Sequence, residues 1–250
     1  MNLIAHRGLS SQAPENTFAS FDASVNNNFN IIEFDVQLTR DNMPVIFHDS
    51  DLNRTTNGSG AIKEMNLKEL QMLDAGSWFD KKFEREKIPL LEDVLNRYHG
   101  KCHFQIELKS DESNLPQIVL NMLKNTNWLN NYSSNPYSIP GFSITSFDIN
   151  HIIKFKNLYP RINVGWLYKS NMDIDGEVLS ILLENKINMI IPNTKSSLWA
   201  NIEMQKKISD KNITICAWGA ENIKEVAMIN KTLAKGMTVN WPDKAKENLF

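Results

Sequence analysis

The stretch that decides the fold is IIEFDVQL, at residues 31–38. Successive side chains of a β-strand point to opposite faces, so this stretch has one apolar face and one polar face. The apolar face carries Ile32, Phe34, Val36 and Leu38, and the polar face carries Glu33, Asp35 and Gln37. Such a strand suits a barrel, in which helices cover the apolar side and the charged side points inward.

The stretch HFQIELK, at residues 103–109, repeats this alternation, with Gln105, Glu107 and Lys109 on its polar face. Along the chain, short strand-like runs alternate with helical patterns in about eight units, with MPVIFHD (residues 43–49) as an appendage to the second. Strands that alternate with helices indicate parallel pairing, so the sequence predicts a (β/α)8 TIM barrel. The alternative, a doubly wound open sheet, needs a glycine-rich turn after the first strand, and RGLSSQAPEN fits that poorly.

Length alone permits one large domain or two small ones, but the sequence has no repeat, low-complexity tract or linker, which predicts a single domain. The chain has 250 residues, of which 42% are hydrophobic, and it can bury a sizeable core. The polar, turn-rich residues 49–86 are expected to form a small lobe inserted after the second strand, within one domain over residues 1–250. The formal net charge of −2 gives no general attraction to nucleic acid. No run approaches the roughly 18–20 apolar residues that span a bilayer, so we expect no membrane insertion.

The N-terminus offers no basic segment followed by an apolar run and a cleavage site, which predicts a cytoplasmic protein. The two cysteines, Cys102 and Cys216, each lie in an apolar run and are expected to be buried thiols. The sequence leaves the oligomeric state open.

The acidic side chains of the two polar faces form a candidate metal site. Glu33, Asp35 and Glu107 would repel one another inside a barrel unless a cation joined them. Hard carboxylate oxygens suit a divalent cation, Mg²⁺, Ca²⁺ or Mn²⁺, and the set lacks the thiolates and closely spaced imidazoles that zinc prefers. The alternative is that Glu33 and Asp35 line a solvated strand.

Two histidines end apolar strand runs, His6 in NLIAH and His48 in MPVIFH. Because active-site residues of barrels lie at the carboxyl ends of strands, these imidazoles are candidates for a general acid and a general base. Arg7 and Lys109 would bind a phosphate oxyanion or, alternatively, neutralise acidic neighbours. We assign no role to the remaining histidines, His99, His103 and His151.

Together, the motifs AHRG, PENT, IEFDVQLTRDNMPVIFHD, LNRTTNGSG, DAGSWF, IPLLEDVL and IELK resemble those of glycerophosphodiester phosphodiesterases, in the same order. The resemblance is dense from Ile4 to Lys109 and thinner afterwards. The family is a TIM barrel with a small lobe after the second strand. The resemblance implies an enzyme that hydrolyses glycerophosphodiesters, which are deacylated phospholipids, to glycerol 3-phosphate and an alcohol.

The resemblance also implies a role for each matching residue. His6 and His48 become the catalytic acid–base pair. The implied metal ligands are Glu33, Asp35 and Glu107, and the implied phosphate-binding and pocket-lining residues are Arg7, Lys109, Ser146, Phe147 and Trp218. The two aromatic residues could instead belong to the core. Asn16 and Thr17 are expected to start the first helix.

The chain departs from the family at the last strand, where Asn240 stands in place of the usual aspartate. We expect this change to affect the pocket floor and the head-group preference. The attacking oxygen can be that of water or of the neighbouring glycerol hydroxyl, and either histidine can be the base.

Two other functions remain open. A phospholipase-like enzyme for intact lipids would need an exposed apolar loop, and the only candidate, GSWFDKKF (residues 76–83), is predicted to be lobe core. A non-catalytic phosphodiester-binding barrel would lack a histidine or a metal ligand, and none is missing.

Overall fold

The computed structural model describes residues 1–130, 132–169 and 173–249. Within these ranges, eight parallel strands close into a barrel, because the first strand pairs with both the second and the last. The strands are β1 (Asn2–His6), β2 (Ile31–Leu38), β3 (Pro44–Ile46), β4 (His103–Leu108), β5 (Gly141–Ser146), β6 (Val164–Tyr168), β7 (Met189–Pro192), β8 (Thr214–Ala217) and β9 (Gly236–Val239). This closure confirms the predicted TIM barrel and excludes the open sheet.

Helices follow the strands and cover the barrel from outside. They are α1 (Phe18–Asn26), α2 (Leu67–Leu70), α3 (Leu91–Arg97), α4 (Leu115–Asn125), α5 (Ile149–Leu158), α6 (Gly176–Glu184), α7 (Ile202–Asp210), α8 (Ile223–Asn230) and α9 (Pro242–Glu247). None of the helices in the described ranges is long and apolar enough to span a membrane.

The alternation read in β2 and β4 determines which side chains face the barrel interior. Ile32, Phe34 and Val36 are fully buried in the large apolar cluster between the sheet and the helices. The two strands pair in parallel, with Asp35 opposite Glu107. Because paired residues of neighbouring strands point to the same side of a sheet, these carboxylates lie next to each other inside the barrel.

Below the polar side chains, the barrel interior is filled by an apolar cluster of Ile4, Ile31, Tyr137, Leu167, Met189, Ile191 and Cys216. This packing makes the barrel a filled core that has its site at the carboxyl ends of the strands. Cys102 and Cys216 are both free and buried, as predicted.

The segment after β2 differs from a barrel unit. β3 is antiparallel to β2 and lies outside the ring of eight, which agrees with its prediction as an appendage. His48 follows β3 by two residues, so the prediction that it ends a barrel strand is wrong. It reaches the rim because β3 runs back alongside β2, where the Phe47 amide donates to the Asp35 carbonyl oxygen at 3.0 Å.

A separate apolar cluster fills this segment, formed by Val45, Phe47, Leu52, Ile62, Leu70, Ala75 and Ile88. The aromatic residues of GSWFDKKF are absent from it. Trp78 is 39% exposed and packs edge-on against Phe79, at 5.6 Å between ring centroids. The prediction that this stretch is lobe core is therefore wrong, because its rings pack on one another at the surface.

Candidate active site

A sharp turn at the end of β1 places the first two charged side chains. Arg7 and Gly8 both have left-handed backbone conformations, with φ of 58° and 83°. Two features favour glycine at position 8. One is the positive φ, and the other is the lack of space, because a Cβ there would lie 2.5 Å from Ser20 Oγ and 2.7 Å from the Ser20 carbonyl carbon. The turn therefore keeps the residues that follow His6 at the rim of the barrel.

Three carboxylates form a compact group at this rim. Glu33, Asp35 and Glu107 are 3%, 0% and 7% exposed, and one oxygen from each lies within 4.8 Å of the others. Asp35 Oδ1 has no hydrogen-bond partner among the described residues. An all-oxygen donor set with a buried oxygen that lacks a hydrogen bond fits a hard divalent cation, as the sequence predicted.

The pKa values of the three carboxyl groups reflect this crowding. Burial and the charges of Asp35 and Glu107 hold the pKa of Glu33 well above its usual range. Burial and Asp35 raise the pKa of Glu107 to about 7. Burial also acts against ionisation of Asp35, but Arg7 and Lys109 lower its pKa below the ordinary value. The raised pKa values of Glu33 and Glu107 reflect burial and mutual repulsion among the three carboxylates, which a divalent cation would relieve.

Arg7 and Lys109 flank the carboxylates. Arg7 Nε lies 3.3 Å from Asp35 Oδ2, and its Nη1 donates to Glu15 Oε1 at 2.6 Å. Lys109 Nζ lies 3.0 Å from Glu107 Oε1 and 3.6 Å from Asp35 Oδ1. Both cations therefore pair with acidic neighbours in this geometry while also lining the pocket described below.

His6 is hydrogen-bonded at one ring nitrogen and lies near a carboxylate at the other. Its Nδ1 pairs with Asn240 Oδ1, and its Nε2 lies 3.8 Å from Glu33 Oε2. Burial and Arg7 lower the pKa of His6 to about 4, so the ring is neutral at pH 7. The departure at Asn240 therefore bears on His6, because this amide is the direct partner of its Nδ1.

His48 has a carboxylate partner instead. Its Nδ1 lies 2.6 Å from Asp49 Oδ1, and burial lowers its pKa. Arg54 Nε donates to Asp49 Oδ2 at 2.5 Å, and both Arg54 Nη atoms donate to Glu15, at 2.8 Å each. This chain of ion pairs joins the segment after β3 to the loop after β1. Sequence reasoning missed Glu15, Asp49 and Arg54, although the motifs PENT, FHD and LNRTT contain them.

Asn16 also contacts the acidic group. Its Nδ2 donates to Asp35 Oδ2 at 2.9 Å, and its backbone φ of 58° turns the side chain inward from the loop. The prediction that Asn16 starts the helix is wrong, because Asn16 precedes the cap of α1. Thr17 does cap α1, because its Oγ1 accepts from the Ser20 amide in a capping box.

One pocket collects the predicted site residues. Its lining contains His6, Arg7, Glu33, His48, Gln105, Glu107, Lys109, Phe147, Leu167, Trp218 and Thr238. Asp35 is not part of the lining, but it pairs with the lining residues Arg7 and Lys109. Phe147 and Trp218 are partly exposed and meet edge-to-face at 5.1 Å. Ser146 is not among the lining residues, and its hydroxyl donates to the Leu108 carbonyl oxygen. His99, His103 and His151 are not among the lining residues.

Comparisons with known proteins agree with this arrangement. Residues 6–244 match the glycerophosphoryl diester phosphodiesterase family. The chain is 36% identical over 247 residues to a Bacillus subtilis protein named "Putative glycerophosphodiester phosphodiesterase YhdW", covering 97% of this chain and 96% of that protein.

Solved structures have the same fold. An Oleispira antarctica phosphodiesterase, solved in complex with the product sn-glycerol-3-phosphate, superposes with a TM-score of 0.86 at 26% identity, covering 100% of this chain and 96% of that one. A glycerophosphodiester phosphodiesterase of Agrobacterium tumefaciens superposes with a TM-score of 0.81 at 22% identity, covering 99% of each chain. The sequence match over almost the whole chain shows that this protein belongs to the glycerophosphoryl diester phosphodiesterase family.

Proposed function

We propose that this chain is a metal-dependent glycerophosphodiester phosphodiesterase, which hydrolyses glycerophosphodiesters to glycerol 3-phosphate and an alcohol. The observation that carries the proposal is the convergence of two imidazoles, two cations and two carboxylates on one pocket of the barrel, with Asp35 clustered with those carboxylates. The product complex of the Oleispira antarctica phosphodiesterase, which has the same fold, supports it.

Glu33, Asp35 and Glu107 would hold the cation, which we propose to be Mg²⁺, Ca²⁺ or Mn²⁺. The buried Asp35 Oδ1, which lacks a hydrogen bond, and the raised pKa values of the other two carboxyl groups support this assignment. When bound, a divalent ion supplies positive charge that stabilises negative charge on phosphate oxygens.

The protein's own groups supply the remaining chemistry. Arg7 and Lys109 donate hydrogen bonds to the phosphate, and Phe147 and Trp218 form an apolar wall beside it. With the proton on Nδ1 held by Asn240, His6 has a free lone pair on Nε2 and suits the role of base. The Asp49 carboxylate at Nδ1 favours the protonated form of His48 against the larger effect of burial, and this contact suits the role of acid.

In the reaction, His6 accepts the proton of the attacking oxygen as that oxygen bonds to phosphorus. The bond between phosphorus and the alcohol oxygen then breaks, and His48 gives its proton to the leaving oxygen. The attacking oxygen belongs to water or to the adjacent glycerol hydroxyl. In the second case, a cyclic phosphate forms first. Water then bonds to phosphorus and gives its proton to His48, while the bond between phosphorus and the ring oxygen of the attacking hydroxyl breaks and His6 returns its proton to that oxygen.

The test is a panel of glycerophospho-alcohols and intact phospholipids, with released glycerol phosphate and alcohol measured after chelation and after each ion is restored. His6→Ala and His48→Ala should each lower turnover by at least about 100-fold. The matched control is His99→Ala, because His99 is exposed and outside the pocket. Near-native turnover in both pocket variants, or full activity in excess chelator, would contradict the proposal.

The partly exposed Trp78 gives a reason to include intact lipids in the panel, because an exposed aromatic residue suits a lipid surface. We expect hydrolysis of the deacylated diesters only. We also propose one domain over residues 1–250 with an insertion at about residues 49–86, and a small molecule rather than nucleic acid as partner. The cytoplasmic location stays a prediction.

A further inference from the structure

Gln37 is the third polar residue on the inward face of β2, and the proposed reaction gives it no role. It follows Asp35 by two residues, so both side chains point to the same side of the sheet. Gln37 is 4% exposed, and its Nε2 donates to the Phe47 and Asp49 carbonyl oxygens at 2.8 Å each. One amide group therefore holds the backbone on both sides of His48.

The segment that carries His48 depends on this amide, because strand pairing ends before it. β3 ends at Ile46, and the Phe47 amide still donates to the Asp35 carbonyl oxygen. Within the described ranges, the backbone of His48 and Asp49 makes no hydrogen bond to the backbone of β2. The two bonds from the side chain on β2 take the place of that pairing.

Packing does not hold this segment on one side. Gln37 and His48 both line a cavity of about 540 Å³, which shares His48 and Lys109 with the pocket. Side chains that line a cavity lack contacts on that side, so their positions depend more on hydrogen bonds. The His48 ring is oriented by Asp49, whose carbonyl oxygen is one of the two that Gln37 binds. Gln37 thus supports both the backbone of His48 and the residue that orients its ring.

A displacement of His48 would affect one chemical step above all. In the proposed reaction, the bond between phosphorus and the alcohol oxygen breaks, and His48 gives its proton to that oxygen. A proton donor must lie within hydrogen-bond distance of the atom that it protonates, and a shift of about 1 Å can cost about 100-fold in rate. Such a shift should therefore slow the release of alcohols that need a proton to leave.

We propose that Gln37 is a positioning residue, which acts through His48 by keeping this imidazole at the distance from which it protonates the leaving oxygen. This inference rests on the proposed function, in which His48 is the acid. An amide suits the position, because its single nitrogen donates two hydrogen bonds, whereas a carboxylate only accepts them.

The test compares two glycerophosphodiesters that differ only in the leaving alcohol. One is glycerophosphocholine, whose alkoxide needs a proton to leave, and the other is the p-nitrophenyl ester, whose phenolate leaves as the anion. The ratio kcat/KM covers the steps up to release of the alcohol, so it reports this proton transfer for either attacking oxygen.

Gln37→Met, which keeps the shape and removes both hydrogen bonds, should lower kcat/KM for the choline ester by about tenfold or more. For the p-nitrophenyl ester the loss should be about threefold or less. Gln37→Glu, which replaces the donor by an acceptor, should show the same difference between the esters. His48→Ala should also show it, with a larger loss for the choline ester.

Gln205→Met is the matched control, because Gln205 is 1% exposed and its Nε2 likewise donates to two carbonyl oxygens, those of Leu198 and Trp199, at 2.9 and 3.2 Å. These three residues are not among those that line the pocket. Both Met variants should lose stability in urea unfolding, but Gln205→Met should keep the wild-type kcat/KM for both esters.

A Gln37→Met enzyme that keeps the wild-type kcat/KM for the choline ester, or loses it equally for both esters, would overturn the inference while leaving the proposed function intact. The same selective loss in Gln205→Met would also overturn it. Equal losses for both esters in His48→Ala would overturn the acid role of His48 and the inference with it. A wild type that hydrolyses neither ester would overturn the proposed function as well.

Discussion

Replacing Glu107 by glutamine tests the metal centre with almost no change of shape. The side chain is buried, and its Oε1 accepts from Lys109 Nζ at 3.0 Å. Burial and Asp35 raise the pKa of Glu107 from 4.5 to about 7. At about 1.4 kcal/mol per pH unit, ionising this group costs the ion-free folded protein about 3 kcal/mol.

The sign of the pH dependence follows from the raised pKa. Below pH 4.5 the carboxyl is protonated in both folded and unfolded chains, and the associated stability is fully present. Between pH 4.5 and about 7 the unfolded chain loses its proton first, so the free energy of unfolding falls. Glu107→Gln removes this loss but weakens the bond to Lys109, so the ion-free variant should be about 1–2 kcal/mol more stable than wild type at pH 8.

A divalent ion should reverse the order. At 100 times its Kd, the ion stabilises the wild type by about 2.7 kcal/mol, whereas the variant lacks one ligand and should gain much less. The assay is urea unfolding at pH 4.5 and pH 8, in chelator and with Mg²⁺, Ca²⁺ or Mn²⁺. A wild type more stable than the variant in chelator at pH 8 would refute the charge repulsion. Equal stabilisation of both proteins by ions would refute Glu107 as a ligand.

Glu15→Gln is the matched control, because Glu15 is also a shielded carboxylate but has two arginine partners. Although burial acts against ionisation, Arg54 and Arg7 lower the pKa of Glu15 to about 2. Its ionised form therefore stabilises the fold above pH 4.5, and this contribution is lost as the pH falls toward 2. The variant should be less stable than wild type at pH 8, with or without ions.

Two further substitutions test the supports of the site. Gly8→Ala should destabilise the protein by about 2 kcal/mol more than Gly100→Ala. Both glycines have positive φ, but only at Gly8 would the added Cβ meet Ser20. Equal losses of unfolding free energy in urea would contradict the close approach. Asp49→Asn should lower kcat by about tenfold or more with little change in KM, because His48 loses the carboxylate at its Nδ1. A pH–rate profile and kcat identical to wild type would exclude that role.

The alternation of side chains made much of the fold and the acidic group predictable. In β2, the same periodicity that buries Phe34 under the helices turns Glu33 and Asp35 inward. Strand-helix order predicted parallel pairing, and a parallel neighbour places Glu107 beside Asp35. These features depend on short-range periodicity, which a single sequence contains.

The partners of the site depend on contacts between distant positions. Asn240 meets His6 across 234 residues, and Arg54 meets Glu15 across 39. The left-handed backbone of Asn16, which turns its amide toward Asp35, has no local sequence pattern that separates it from a helix start. Gln105 was placed on the inward face by its register, but only the packed barrel shows that its oxygen is unpaired.

The placement of His48 beyond an antiparallel strand outside the ring means that the two candidate imidazoles rest on different apolar clusters. The distance between the two imidazoles therefore depends on how the segment after β3 packs against the barrel. Arg54 joins these two parts, because it donates to Asp49 on one side and to Glu15 on the other. We expect the smaller cluster to loosen on heating before the barrel unfolds, which would change the distance between the two imidazoles. The turnover number should therefore fall at a lower temperature than the midpoint of thermal unfolding of the whole protein.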